Sequence, residues 1–389
     1  MHALARTPAV VVAVVLAAGA AATPTAAAPA PPLWDHVGYD AEDSWFNPRE
    51  NLITAATAGR LTGKWSVPLR SADTCSSFSG PVVAGGRVFV GDLAGISAYN
   101  ATNGAKQWSY DWVHSNDGGL PRMAVADGLL VVGYNDCMSV SDPNPALIAL
   151  DVRDGRKRWS SANPPPVGSM VVDKGAVLVS GTDVNGDSDT VAYRVRDGRQ
   201  LWKAPGRRVG GSSANGVVAG YAADGTKAFD IVTGAVRWSV KRRLATEAAT
   251  PVSDVFYAAD DKEHLVAVNV KDGSARWTAP GPTSLIAADG TRVYRSDGEA
   301  VAALDARTGK QVWRRALSRY AGQPVVAGGV VYAGGIALDA ARGTVLPGVP
   351  PLGGDLVVTG GVLYQSNEGS LSAYTISGSG RSAGRTGTR

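Results

Sequence analysis

The chain has 389 residues, of which 44% are apolar, with 48 glycines, 22 prolines and two cysteines. Its formal charge of +4 reflects 38 basic against 34 acidic residues, and Arg6, Arg381, Arg385 and Arg389 at the two ends account for the whole excess. The body of the chain is therefore neutral and lacks the basic stripe that nucleic-acid binding requires.

In chain order, the first stretch is a targeting segment. His2 and Arg6 precede an apolar run of small residues, Ala9 to Ala22, and Ala-rich cleavage candidates follow at 20–22 and 26–28. This pattern predicts a signal peptide over 1–28, hence an exported chain, and no later stretch is long and apolar enough to span a bilayer. No cysteine near the cleavage region offers a lipid anchor. Residues 29–60 read as an N-terminal linker, and LTGKWSVPL (Leu61–Leu69) reads as a strand carrying a tryptophan.

From there a phrase of 11 residues recurs. It runs AYNATNGAKQW (Ala98–Trp108), ALDVRDGRKRW (Ala149–Trp159), AYRVRDGRQLW (Ala192–Trp202), AFDIVTGAVRW (Ala228–Trp238), AVNVKDGSARW (Ala267–Trp277) and ALDARTGKQVW (Ala303–Trp313). Counting Trp65, the seven tryptophans are separated by 43, 51, 43, 36, 39 and 36 residues. A repeat of about 40 residues made of short strands signals a β-propeller. Within the phrase, the Asn-Gly, Asp-Gly or Thr-Gly pair predicts a hairpin turn with glycine at positive φ. The Trp then falls on the outer strand of each blade, where its ring docks on the next blade and its N–H reaches a backbone carbonyl.

A second signature, a β-branched strand flanked by glycine, occurs eight times, from RVFVGD (Arg87–Asp92) to VLYQSN (Val362–Asn367). The seventh phrase, Ala337–Pro347, has lost its Trp, and the eighth copy runs into the tail after SLSAYTI (Ser370–Ile376). The expected fold is all-β, an eight-bladed propeller over 61–376 whose last blade is completed by Leu61–Leu69. Such a closure leaves no open edge. The alternative is a seven-bladed ring with one degenerate copy outside it. The glycine- and arginine-containing tail, 377–389, reads as disordered.

These phrases, preceded by P-V-V-x-G-G-x-V-Y-x-G, resemble the PQQ-like β-propeller repeat family over nearly all of 61–376. The resemblance implies one of two branches. Quinoprotein dehydrogenases hold pyrroloquinoline quinone (PQQ) and calcium in the central funnel and carry an adjacent cysteine pair and long insertions with the calcium ligands. Non-catalytic propellers serve as scaffolds, such as the one in the outer-membrane β-barrel assembly machinery, which this chain matches better in size. Here Cys75 and Cys137 are far apart and the blades are compact, so no catalytic residue carries over and PQQ is not expected.

Candidate sites are few. An exported chain with an even cysteine count predicts a Cys75–Cys137 disulfide, since both lie on connections at one face. Asp183, Asn185, Asp187 and Asp189 place oxygen side chains at alternate positions like the start of a calcium loop; Arg194 stands where the bidentate Glu would be, and a polar hairpin is the competing reading. His36, His114 and His264 are not spaced for a metalloprotease helix, and the glycine pairs Gly85-Gly86 and Gly328-Gly329 precede strands rather than helices, so they do not cradle phosphate. Two long loops, Trp112–Pro121 and Asn135–Pro145, are where a rigid ring would bind a partner. The expected function is an exported, monomeric, non-catalytic module that binds a protein or envelope component through one face. The alternatives are a PQQ- and calcium-dependent dehydrogenase, or a sensor with a small ligand in the channel.

Overall fold

The structure is a computed structural model, which describes residues 33–377 apart from Thr74, 114–118, 137–143, Pro282, Ser284 and Glu368. The leader 1–28 and all of the tail beyond Ser377 lie outside the described residues. Eight four-stranded sheets form the ring. In blade 1 the strands Val82–Ala84, Arg87–Asp92, Gly95–Asn100 and Lys106–Asp111 run in order from the channel outward. Blades 2 to 6 repeat this order over 122–160, 169–205, 208–240, 245–279 and 286–316. The core is a set of layers between blades. Val131, Leu147 and Ala149 of blade 2, for example, face Val177, Val179 and Val191 of blade 3. Among the described residues no helix is long and apolar enough to cross a membrane.

Blade 8 closes as expected. Leu61–Pro68 pairs antiparallel with Ser370–Ile376, from Leu61 opposite Ile376 to Pro68 opposite Ser370. Eight blades are present, so the seven-bladed alternative falls. Blade 7 departs from the repeat. It has Val325–Ala327, Val330–Ala333 and Ile336–Asp339, and at its outer edge only Val345 bridges to Leu338. Its fourth strand is instead Phe46–Asn47, parallel to Val325–Ala327 on the channel side.

The repeated phrase acts as one docking unit. In several copies the turn before the outer strand is capped by the side chain at the third position: Asp230 Oδ1 accepts from the N–H of Val232 and Thr233, and Asp305 Oδ1 does the same for Arg307 and Thr308. The glycine that follows has positive φ in every copy, for example 71° at Gly155 and 75° at Gly273. Steric contact gives a second reason for glycine. A Cβ on Gly155, Gly198 or Gly309 would lie 2.6 Å from the ring of the preceding blade's Trp108, Trp159 or Trp277. The same tryptophans donate Nε1–H to the carbonyls of Val152 (3.0 Å), Val195 (2.7 Å) and Ala306 (2.8 Å). Trp65, Trp202, Trp238 and Trp313 reach Ala101, Ile231, Val270 and Ala340 in the same way. Each ring is thus held flat on the next blade's glycine. Only Trp108 is fully buried; the other six are half-buried.

Seven of the eight blade junctions carry this contact. The junction from blade 7 to blade 8 does not, because the seventh phrase lacks its Trp. There the chain just before the closing strand substitutes: Gly59 packs so closely on Pro347 that a Cβ would lie 2.5 Å from its carbonyl oxygen, and Ser377 N donates to Arg60 O at 3.0 Å.

The stretch read from sequence as a linker has a different place. Its described part, from Leu33 on, winds once round the channel and bonds to the inner strand of every blade in turn. Leu33 O accepts from Thr359 Oγ1 in blade 8. Trp34 and Val83 of blade 1 exchange two backbone bonds of 2.8 Å. Asp35 O accepts from Val125 N in blade 2, and His36 Nε2 lies 2.8 Å from Val172 O in blade 3. The carbonyls of Ala41, Glu42, Ser44 and Trp45 then accept from Ser213, Ala249, Ala288 and Val326 in blades 4 to 7, at 2.7–2.9 Å. Asn47 Nδ2 completes the circuit on Val358 O of blade 8, at 2.8 Å. Trp34 is fully buried, and the Glu50 carboxylate is tied to the N–H groups of Leu52, Ile53 and Gly361. Every partner sits near the end of its inner strand, so this strap closes one end of the channel and leaves the other open.

Two outcomes are expected. Trp238→Ala and Gly273→Ala should each cost about 2–4 kcal/mol in urea melts, and the double variant should cost clearly less than the sum, since both remove one contact. Deleting residues 29–56 while keeping the closing strand should lower the melting temperature and expose the ring to protease; a deletion variant that melts like the parent would show that the strap is dispensable.

Candidate binding site

The open end of the channel lies where the inner strands begin. Between the strap and blades 2 to 4 a cavity of about 80 Å³ remains, walled by His36, Asp40, Asp43 and Trp45 from the strap and by Arg122, Met170 and Gly211 from the ring. Glycines let the strap carboxylates lie against backbone. A Cβ on Gly38 would overlap Asp43 Oδ1, and one on Gly211 would be 3.3 Å from Asp43 Oδ2. Tyr39, Asp43 and Trp45 are held at φ of 84°, 51° and 51°, a left-handed conformation that costs side-chain-bearing residues roughly 1–3 kcal/mol each and persists only where surroundings impose it.

The electrostatics follow from burial. Burial, with the neighbouring Glu42 charge, pushes the Asp40 carboxyl up to about 7, although Ser44 donates to it from both N and Oγ. Burial likewise pushes Asp43 up to about 7, against the pull of Arg122 and with Asp40 and Glu247 adding to the rise. Glu42 and Glu247 are raised by burial too. For His36 burial acts downward, yet the Asp35 carboxylate, 2.7 Å from Nδ1, holds its pKa above the ordinary value.

A second, larger hollow of about 390 Å³ opens on the same face over blade 7 and shares Trp45 with the first. Blade 7 turns from its second to its third strand through Gly334 and Gly335 alone, which leaves its top low between the connections at 317–324 and 347–354.

The residues singled out from sequence fall elsewhere. Asp183–Asp189 is a hairpin tip in blade 3. Asp183 Oδ1 accepts from the N–H groups of Asn185 and Asp187, and Asp189 pairs with Lys203 at 2.7 Å. Among the described residues no three His, Cys, Asp or Glu side chains are grouped to hold a cation. Cys75 is not a free thiol, while Cys137 lies outside the described residues. Their loops are joined through backbone bonds from Ser77 to Gly119 and from Gly119 to Asn135. Trp112 packs on Tyr134 with centroids 4.8 Å apart, and Val113 and Leu120 are exposed. His114 and Met138 are outside the described residues. His264 lies on the rim, 3.6 Å from Asp260. Sequence reasoning missed the strap residues, although two tryptophans and four acidic residues within Leu33–Asn47 were a poor match for a linker.

A family profile described as outer membrane protein assembly factor BamB matches residues 30–169, 146–284 and 279–347. The chain belongs to this family. Among curated proteins none matches it. Its fold is similar to that of a quinohemoprotein alcohol dehydrogenase from Comamonas testosteroni, at 16% identity and a TM-score of 0.65, covering 93% of this chain and 83% of that one. It is also similar to a europium-containing methanol dehydrogenase (14%, TM-score 0.65, 89% and 98% covered) and to BamB from Moraxella catarrhalis (21%, TM-score 0.57, 82% and 98% covered). At these identities the likeness is one of fold.

The raised groups make stability depend on pH. Asp40 and Asp43 bind protons more tightly folded than unfolded, so the fold loses stability as pH rises from about 4 to about 7. His36, also raised, contributes most below its unfolded value of 6.5 and acts in the same direction. The melting temperature should therefore be a few degrees higher at pH 5.5 than at pH 8, and Asp43→Asn should flatten this dependence by raising the pH 8 value.

Proposed function

We propose that this protein is an exported, non-catalytic propeller that binds a protein or envelope component through its open face, where the loops 112–121 and 135–145 lie. The observation that carries this reading is the strap. The place where the enzyme branch would hold a quinone is taken by the chain's own residues 33–47, and the 80 Å³ left beside them has room for a few waters but not for a tricyclic quinone. Among the described residues no three His, Cys, Asp or Glu side chains are grouped there as a calcium ion would require. No chemical step is assigned to the channel. The Cys75–Cys137 link belongs to this reading as a brace under the two loops.

The test is cross-linked affinity capture of the mature protein from its own cell envelope and medium. One reproducible partner, lost when the 112–121 and 135–145 loops are replaced, is the expected result. A saturable, dye-linked oxidation of alcohols or sugars on addition of PQQ and calcium would favour the dehydrogenase reading instead.

A further inference from the structure

The hollow over blade 7 has the features of a small-molecule site. Its volume, about 390 Å³, is in the range of ligand pockets. Two aromatic rings border it. Tyr320 is 71% exposed and lies over Gly298, where a Cβ would be 3.1 Å from the ring, so its other face is free. Trp45 is fixed in its left-handed conformation by bonds to Gly38 O and from Val326 N.

The polar groups around these rings have bonding capacity to spare. Among the described residues neither Arg319 nor Asp355 makes an ion pair or a side-chain hydrogen bond, although both line the same hollow. Asp355 is exposed at the rim, and partial loss of water around its carboxyl raises it above its usual range, with no donor acting against it. Gln323 spends its Nε2–H₂ on Ile286 O and Pro324 O, which leaves Oε1 available. The floor is bare backbone. At Gly335 a Cβ would be 2.8 Å from Leu352 O, and at Gly354 one would be 2.0 Å from Ser366 O.

We propose that this hollow binds an uncharged saccharide of one or two rings, with a sugar face on Tyr320 and Trp45 and its hydroxyls shared among Arg319, Asp355 and Gln323. A hydroxyl donates to a carboxylate and accepts from a guanidinium, so adjacent hydroxyls satisfy both unpaired charges without burying a third. An anion would face Asp355, and a cation would face Arg319. A free amino acid would pair with both but leave most of the volume and the aromatic faces unused. The site stands apart from the protein-partner reading: it uses blade 7, not the loops of blades 1 and 2, and each can fail alone.

Saturation-transfer NMR on the full mature chain with glucose, N-acetylglucosamine, cellobiose, maltose, trehalose and N,N′-diacetylchitobiose tests it. The expected result is saturable binding of at least one, with transfer strongest to ring C–H protons. Tyr320→Ala and Arg319→Ala should each weaken it roughly tenfold, the equivalent of one lost contact. Both side chains are exposed, so the melting temperature should not move. No saturable signal with any of the six sugars, or binding unchanged in Tyr320→Ala, would overturn the proposal. So would binding of glycine or glutamate with no sugar bound.

Discussion

A tryptophan lying flat on a glycine of the next blade is the contact on which the ring depends. A propeller blade is a twisted sheet that cannot bury both faces alone, and it gains stability only through its two neighbours. The ring sits on the turn where the following blade reverses, and the glycine there meets two demands together, a positive φ and the absence of a Cβ under an indole. Because the contact is repeated, its geometry sets a common angle between blades. Where it is missing, between blades 7 and 8, Gly59 and Pro347 supply a backbone-on-backbone contact that belongs to no repeat.

The strap has another role. It bonds to each inner strand through one or two polar groups and so satisfies carbonyl and amide edges that would otherwise line a wet channel. It also brings carboxylates into a space with little water. Asp40 and Asp43 respond by holding protons near neutrality, with Arg122 pulling against the rise at Asp43. The channel is thereby built as a packed core on one side and a shallow polar mouth on the other, which leaves the binding capacity of the molecule to its rim.

The sequence displayed what repeats and hid what occurs once. The tryptophan spacing, the glycine turns, the count of eight and the closing strand were all readable, because each is enforced by the same side-chain contact many times over. The strap was not readable, since most of its bonds to the ring are made by backbone atoms, which leave no side-chain pattern, and its direction is set by left-handed Tyr39, Asp43 and Trp45. The parallel pairing of Phe46–Asn47 with blade 7 was hidden for the same reason. The hollow over blade 7 was half visible: the lost Trp and the Gly334-Gly335 turn marked an irregular blade, but residues as distant as Trp45 and Asp355 meet there only through ring closure. The Asp183–Asp189 spacing fits a tight hairpin and a cation loop alike, because both use the same short oxygen side chains; in the hairpin Asp183 Oδ1 accepts from two backbone amides.

The closing strand pairs Thr62 with Thr375, a separation of 313 residues. The strap must likewise wait for inner strands that span nearly the whole chain. During synthesis the first residues of the domain to emerge are thus the last to find their places, and they stay exposed while blades 1 to 6, each built from its own four strands, form behind them. Most strand pairings are local, and the long-range ones are those of the strap and the closing strand, which carry the largest loop-closure cost. Single blades can form as they are made, but the molecule becomes a ring only in one late event, when both ends are present.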